Sequence, residues 1–293
     1  MKRKRKNLSD VVLDTVIYAI LIFLVVVTLY PVWFVFVASF ASSTEVALSK
    51  GLMLWPKEFM LGAYELVFEY DLLMSGFLNS IKVLVMGLPI NIILTMFAGY
   101  FMACTGMKFK KPIVYMMMFT MYFSGGLVPG LLNIRDLGLI DTTWALVLPG
   151  ALSVYNAIIC KTAIEAIPES LQESAYLDGA NDLQIIGRIV FPLIKPTLAV
   201  LLLYYGVAHW NSWFAASIYI RDPLKLPVQN IIRNIMQADS ALATSVAAGD
   251  SYDTYYETIK YAAIVMTMVP IMCVYPFLQK YFAKGAMIGA VKG

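Results

Sequence analysis

Residues 165–196 read EAIPESLQESAYLDGANDLQIIGRIVFPLIKP, a polar stretch set between long apolar runs. Pro168 is typical of the first turn of a helix, and Ser170 and Glu173 have the spacing of a capping box. The stretch therefore predicts a helix that begins near Pro168. Gly179 can end this helix and begin a bend, because glycine adopts left-handed backbone angles without strain.

One face of this helix carries small residues at its centre. Residues four apart share a helix face, and the face consists of Leu171, Ala175, Gly179 and Leu183. The two small residues leave a notch that lets another surface approach closely. A second short helix over 183–190 is expected to end at Pro192. A helix lying on lipid needs a basic polar face, and this stretch is acidic instead. We therefore interpret it as a rigid knob that receives force from a cytosolic partner.

The composition around this stretch is that of a membrane protein. Of 293 residues, 60% are hydrophobic and 14% are charged. A soluble domain carries about 45–50% apolar and about 25% charged residues. These proportions exclude a soluble enzyme and indicate an all-α integral membrane protein.

Six apolar runs are long enough to cross a bilayer, which takes about 20 residues. Glycine and proline interrupt the third and fourth runs, and we expect kinked spans there, not re-entrant loops. The six predicted transmembrane helices are 14–40, 78–103, 112–134, 142–164, 197–220 and 259–282.

The distribution of basic residues predicts the orientation. Residues 2–6 read KRKRK, and such a run stays in the cytoplasm. With six spans both termini are then inside, and the polar stretch 165–196 is a cytoplasmic loop. The chain divides into a basic tail (1–13), a transmembrane domain (14–283) and a C-terminal tail (284–293). The first apolar run is longer than the core of a signal peptide, so we expect an uncleaved anchor.

Catalytic and metal motifs are not apparent in the sequence. It contains neither of the glycine-rich nucleotide-binding patterns G-x-x-x-x-G-K-[ST] and G-x-G-x-x-G. Its single histidine, His209, and three dispersed cysteines form no pattern of metal ligands. We expect no catalytic residue, no metal and no cofactor bound by this chain.

Polar and aromatic residues inside the predicted spans are candidates for a solute pathway. Such residues tend to face the bundle interior or a cavity, although many only bond neighbouring helices. The candidates are Tyr155, Asn156, Tyr204, Tyr205, His209, Asn211 and Trp213.

Within the polar loop, Glu173-Ser174-Ala175-x3-Gly179-x9-Ile189-x-Phe191-Pro192 resembles the EAA motif of ABC importer permeases, E-A-A-x3-G-x9-I-x-L-P. Ser174 and Phe191 depart from that pattern while roughly keeping size or apolar character. The similarity extends over nearly the whole chain and is closest to the carbohydrate-uptake, maltose permease-like branch. Further motifs that carry it are Asn79-Ser80, Gly138-Leu139-Ile140-Asp141-Thr142, Trp210-Asn211-x-Trp213 and Lys284-Gly285-x5-Val291-Lys292-Gly293. The stretch Phe123-Ser124-Gly125-Gly126-Leu127-x-Pro129 resembles a bacterial subgroup that handles complex oligosaccharides.

The resemblance implies a type I ABC importer permease fold whose coupling helix docks on a cytosolic ATPase. The tail residues Lys292 and Gly293 would also contact the ATPase. The residues that the resemblance assigns to coupling are Glu173, Ser174, Ala175, Asp178, Gly179, Ala180 and Pro192.

The resemblance also implies partners. They are a homologous permease forming a heterodimer, two ATPase subunits that hold ATP and Mg²⁺, and an extracytoplasmic sugar-binding protein. The expected substrate is a carbohydrate, and the expected location is the bacterial plasma membrane, in contact with lipid and without nucleic acid.

Three other functions compete with the importer interpretation. A self-sufficient secondary transporter of a small polar solute would normally use an embedded acidic or arginine residue for ion coupling, and the acidic residues here fall in loops or at span ends. An intramembrane enzyme would need a clustered nucleophile and base. A receptor or scaffold would leave the polar loop without a purpose.

Overall fold

The computed structural model describes residues 8–105, 108–246 and 256–290. The basic run 2–6 and the predicted ATPase contacts Lys292 and Gly293 lie outside the described residues. Helices, turns and loops make up the described chain, without strands. In chain order the α-helices are α1 (Leu8–Ala38), α2 (Ser43–Leu48), α3 (Gly62–Glu69), α4 (Asp71–Ala103), α5 (Lys110–Tyr122), α6 (Leu127–Asp136), α7 (Trp144–Val147), α8 (Val154–Glu165), α9 (Glu169–Leu177), α10 (Asp182–Ile185), α11 (Phe191–Leu193), α12 (Lys195–Trp210), α13 (Phe214–Tyr219), α14 (Val228–Val246) and α15 (Tyr256–Ala290). A π-helical turn (Ile186–Val190) and a 3₁₀ turn (Pro223–Lys225) complete the elements.

Two of the described helices are long and apolar enough to cross a membrane without a break. They are the 27 residues Val12–Ala38 of α1 and the 33 residues of α4. At 1.5 Å per residue both exceed a hydrocarbon core of about 30 Å. Two bent pairs raise the number to four if each pair is one span. The fold is therefore helical and membrane-spanning, and the count of six spans stays a prediction.

The breaks are sharper than the predicted kinks. The axes of α5 and α6 differ by 115° across the third predicted span, where Gly126 has a φ of 93° that favours glycine. In the fourth predicted span, α7 ends at Val147 and α8 begins only at Val154. The fifth predicted span is interrupted between Trp210 and Phe214.

The described chain divides into two compact units. The larger comprises Asp71–Arg233 and Val269–Gly293. Within it α8 and α12 pack against α4. Glycines on α4 permit this close packing: a Cβ on Gly87 would lie 2.8 Å from His209 Nε2, and one on Gly99 would lie 2.9 Å from Cys160. The buried core residues here are Met96, Tyr100, Cys160, Ile164, Ile167, Ala175, Ile185, Ile186, Val190, Ile194, Leu198 and Leu201.

The second unit comprises Met1–Tyr70 and Asn234–Met268. Its own small core contains Val37, Ala38, Ala41, Val46 and Met53. The segment after α2 folds back along α1, because the Tyr30 hydroxyl donates to the Gly51 carbonyl and the Trp33 indole donates to the Leu54 carbonyl, each at 2.9 Å. These bonds hold residues 51–54 against α1.

Candidate functional site

The polar loop, residues 165–196, folds as a knob whose first helix is closed by a tight cap. The Gly179 N–H donates to the Tyr176 carbonyl and the Ala180 N–H donates to the Ala175 carbonyl, at 3.0 and 2.9 Å. This pair of bonds is a Schellman motif, in which the residue after the helix must be left-handed. Gly179 has a φ of 81°, as that position requires. The prediction that Gly179 ends the helix is confirmed.

The second helix of the knob begins with a complete capping box. The Asn181 side chain accepts from the Gln184 N–H at 2.9 Å, and the Gln184 side chain accepts from the Asn181 N–H at 3.0 Å. The helix then widens into the π-helical turn Ile186–Val190 and continues to Leu193. Pro192 therefore does not end it, contrary to the prediction. The widened turn directly precedes Pro192, whose ring would clash with a carbonyl one turn back in a regular helix.

Two other sequence predictions for the knob are wrong. The N-cap of α9 is Pro168 without a side-chain cap, and the Ser174 hydroxyl donates to the Ser170 carbonyl, so Ser170 and Glu173 form no capping box. Ala175 is only 9% exposed and packs in the chain's own core, and α9 ends before Gly179. The small residues therefore do not form one exposed notch. Ala175 instead fixes α9 to the bundle.

A hydrogen-bonded cluster ties the knob to α4. The hydroxyls of Tyr176 and Tyr100 both donate to Asp182 Oδ1, at 2.6 and 3.0 Å, and lie 3.2 Å from each other. Tyr100 is buried on α4, whereas Tyr176 and Asp182 lie on opposite sides of the Gly179 turn. The hydrogen bond to Asp182 raises the pKa of the Tyr176 phenol, because only the protonated hydroxyl can donate it. We call these three residues the tyrosine–aspartate cluster.

Most of the predicted coupling residues lie on the surface of the knob. Glu173, Ser174, Asp178, Gly179 and Pro192 are exposed, while Ala180 is half-buried. Sequence reasoning missed Leu177, whose side chain is 89% exposed. It lies next to Asp178 and one helical turn after Glu173. The sequence feature that could have identified it is a leucine that does not lie on the apolar face of the predicted helix. An exposed leucine beside carboxylates is suited to contact another protein.

A cavity of about 400 Å³ lies between the breaks that precede α8 and α13. Its walls come from α7, α8, α12 and α13, so the interruptions of the helices create the space. No charged side chain is among its lining residues, which are Ala145, Leu146, Pro149, Gly150, Ser153, Asn156, Tyr204, Tyr205, Ala208, His209, Ser212, Ala215 and Tyr219.

Asn91 organises the polar wall of this cavity. This residue is fully buried on α4, and its Nδ2 donates to the carbonyls of Gly150 and Ala151 at 3.0 and 2.9 Å. These carbonyls are exposed by the break before α8, and backbone groups inside a membrane protein must find partners. Because both amide protons are used, Asn91 Oδ1 must accept from His209 Nε2, 2.8 Å away. His209 therefore carries its proton on Nε2.

Tyr205 makes a second connection across the cavity wall. Its hydroxyl accepts from the Ser153 N–H at 3.0 Å and lies 2.7 Å from the hydroxyl of Thr95 on α4. Asn91 and Thr95 were not predicted, although each is a polar residue within an apolar run. We call Asn91, Thr95, Tyr205 and His209 the polar network.

The structure brings four of the seven pathway candidates together. Asn156, Tyr204, Tyr205 and His209 line the cavity. The others do not, for reasons of position: Tyr155 points away and is 58% exposed, Asn211 caps the end of α12, and Trp213 stacks against Arg233.

The loop before α7 is anchored by Asp141. Its carboxylate accepts from the N–H groups of Arg221 and Asp222 at 3.0 and 3.1 Å, and from Lys225 Nζ at 2.7 Å. These bonds lower the pKa of Asp141 to about 2, with the bond from Lys225 contributing most. The motif Gly138–Thr142 thus has a structural explanation, since Asp141 joins this loop to the segment after α13.

Comparison with known proteins identifies relatives along nearly the whole chain. The model of the family described as "binding-protein-dependent transport system inner membrane component" matches residues 74–287. The chain is 39% identical over 281 residues to the polygalacturonan/rhamnogalacturonan transport system permease protein YtcP of Bacillus subtilis strain 168, covering 96% of this chain and 98% of the relative. It is 37% identical over 267 residues to Protein LplC of the same organism, covering 91% and 90%.

The fold of this chain is similar to that of a chain in a solved structure. It is the crystal structure of a bacterial ABC transporter involved in the import of the acidic polysaccharide alginate. One of its chains superimposes with a TM-score of 0.84 at 30% identity, covering 96% of this chain and 100% of that chain. The resemblance deduced from the EAA-like motif is therefore confirmed at the level of both sequence and fold.

Proposed function

The chain belongs to the family of binding-protein-dependent transport system inner membrane components, and from this premise we propose that it is the permease subunit of an ATP-driven oligosaccharide importer. It is a multi-pass membrane protein of a transport system. The geometry of the knob is the observation that carries the proposal. Its helix is fixed inward by buried Ala175 and presents Glu173, Leu177 and Asp178 outward.

Docking of the ATPase on this outward surface would transmit its movement to the bundle. Leu177 would enter an apolar site on the ATPase, and the two carboxylates would meet basic side chains. The tyrosine–aspartate cluster would then carry the displacement to α4. Such a knob moves as a body because the Schellman motif and the capping box leave its turn few alternative conformations. Alternation between two bundle states follows from this rigid link.

The proposed substrate is an oligosaccharide that passes the cavity. Its uncharged polar lining, including Asn156, Tyr204 and Ser212, offers hydroxyl and amide groups to sugar hydroxyls. Names of the relatives point to the same class, since YtcP is described for polygalacturonan/rhamnogalacturonan and the structural neighbour for alginate.

The remaining components of the proposal are partners and orientation. We infer a heterodimer with a homologous permease, two ATPase subunits and an extracytoplasmic binding protein. Six spans with both termini inside would place the knob in the cytoplasm, where Lys292 and Gly293 would add a second ATPase contact. ATP and Mg²⁺ would belong to the ATPase subunits, so this chain binds no cofactor.

Co-purification from the native membrane tests the assembly. The tag is placed on the N-terminus, so that the C-terminal residues stay available for contact. We expect a second permease-like chain and an ATPase in the eluate, identified by mass spectrometry. Recovery of this chain alone, stable and monodisperse, would favour a self-sufficient secondary transporter instead.

Substitution of Gly179 tests the docking surface. Gly179→Arg is expected to abolish sugar uptake and ATPase co-purification while membrane insertion is retained. A Cβ at this position meets no atom within 4 Å, so the substituent starts into open space. It does strain the left-handed backbone, and Gly179→Asn is the matched control because asparagine tolerates these angles. We expect the asparagine variant to keep at least half of the uptake. Normal uptake by Gly179→Arg would exclude the knob as the coupling element.

A further inference from the structure

Arg233 stacks on the face of Trp213. Its guanidinium carbon lies 3.5 Å from the centroid of the indole, which is the distance of direct contact between a cation and a ring. Trp213 follows Ser212, which lines the cavity, and Arg233 belongs to the first turns of α14. Both side chains are partly exposed, so the stacked pair is accessible next to the cavity.

The charge of Arg233 is not neutralised within the described residues. Its neighbours in the same unit behave differently: Lys225 pairs with Asp141 at 2.7 Å, and Arg135 pairs with Asp136 at 2.9 Å. No carboxylate of the described chain lies within ion-pair distance of Arg233. A guanidinium held flat by an aromatic ring keeps its N–H groups free at the edge, where they match a carboxylate in a bidentate arrangement.

Asn230 anchors the backbone of the same tryptophan. Its Nδ2 donates to the Trp213 carbonyl at 2.9 Å, and the residue is 4% exposed. Its Oδ1 is buried and finds no donor in the described part of the chain. Buried polar atoms are satisfied in most native structures. The Asn230 amide holds the Trp213 backbone in place from inside the fold.

We propose that Arg233 and Trp213 form a binding site for the carboxylate of an acidic sugar, a uronate residue of the transported oligosaccharide. Arg233 binds the carboxylate, Trp213 holds the guanidinium in place, and Asn230 fixes the backbone of Trp213. This assignment rests on the proposed function and adds to it the charge of the substrate. A cavity lined without charged side chains then needs one cationic site at its edge to select an anionic solute.

Two probes that differ in charge, an anionic sugar and its neutral methyl ester, test the site. The complete importer is reconstituted in proteoliposomes, and uptake of trigalacturonate is compared with uptake of its methyl ester. Arg233→Gln is expected to lower the trigalacturonate rate about tenfold, which corresponds to about 1.4 kcal/mol. The methyl ester rate should stay within about twofold. Because the binding protein is unchanged, its own preference cancels when each variant is compared with wild type.

Arg221→Gln is the matched control, since it removes an exposed arginine from the same segment without touching Trp213. It should leave both rates unchanged. Equal losses for both probes with Arg233→Gln, or no loss for either, would overturn the site. If wild type carries the methyl ester but not the acid, the uronate assignment fails and oligosaccharide import stands. If wild type carries neither probe, the uronate assignment fails, while the importer function is decided separately by the co-purification described above.

Discussion

The knob and the polar network use polar residues in opposite ways. On the knob, Glu173 and Asp178 are exposed and have no ion-pair partner within the described chain. In the polar network, Asn91 and Thr95 are fully buried, and their hydrogen bonds are made to other groups of the same chain. The first arrangement leaves charge available to a second protein. The second closes helix breaks inside the bundle.

This difference predicts which measurement each region controls. Removing an exposed carboxylate should lower the free energy of unfolding only slightly, because the group is surrounded by solvent and not by protein. Removing a buried hub leaves unpaired carbonyls in an apolar interior, which costs about 1–3 kcal/mol for each group. Substitutions on the knob should therefore change coupling, and substitutions in the polar network should change stability first.

The largest expected effect is that of Asn91→Leu. The variant leaves the carbonyls of Gly150 and Ala151 and the His209 N–H without their partner, and we expect a loss of about 3 kcal/mol or more in the free energy of unfolding. Thermal unfolding of the detergent-purified chain measures it. Thr95→Val is the matched control, because it removes only the bond to Tyr205 and should cost about 1 kcal/mol. Equal stabilities of wild type and Asn91→Leu would break the distinction between the two regions.

The same contrast explains what the sequence could predict. The knob is a local structure: its helix end depends on Gly179, and the motif spacing is contained within one short segment. Sequence could not predict that Ala175 faces inward, because this depends on packing against α4, far away in the chain. The polar network is also non-local, since Asn91 and His209 are 118 positions apart. Residue type alone singled out four pathway candidates that line the cavity, but it could not predict the stacked position of Trp213, because nothing local indicates Arg233 above its ring.

An intermediate effect is expected for Tyr100→Phe, since Tyr100 ties the knob to α4, the helix that also carries Asn91 and Thr95. The variant removes one hydrogen bond to Asp182, while Tyr176 still donates to the same oxygen. We expect a stability loss of about 1 kcal/mol and a two- to fivefold rise in ATP hydrolysed per sugar imported. The ratio is the informative quantity, because a purely structural defect lowers hydrolysis and import together. Simultaneous measurement of both rates in proteoliposomes provides it.

Asp182→Asn separates the hydrogen bonds from the charge at the same position. Asparagine keeps an oxygen that accepts from both tyrosines, so its coupling ratio should remain near that of wild type. Asp182→Ala removes the acceptor and should behave like Tyr100→Phe or worse. If all three variants keep the wild-type ratio, the tyrosine–aspartate cluster only supports the fold, and the knob must transmit movement by another route.

The smallest expected effect belongs to Asp141, which lies outside both regions. It tests how much an ion pair on a partly exposed side chain contributes to stability. Its pKa is lowered to about 2 in the folded chain, which means that the fold stabilises the ionised form of Asp141. The stability that it contributes is therefore fully present above its ordinary pKa of 3.8 and is lost as the pH falls from there towards 2.

Asp141→Asn keeps an acceptor for the N–H groups of Arg221 and Asp222 but loses the ion pair with Lys225. We expect its unfolding temperature to lie slightly below that of wild type at pH 5, and the gap to close between pH 4 and pH 2. The variant Lys225→Met should show at least this gap, because it also removes the contact of Lys225 with Asp222 at 3.9 Å. The double variant should lose less than the sum of the two, since the pair Asp141–Lys225 is lost only once. A gap that persists unchanged at pH 2 would mean that the shape of the asparagine, and not the lost charge, destabilises the loop.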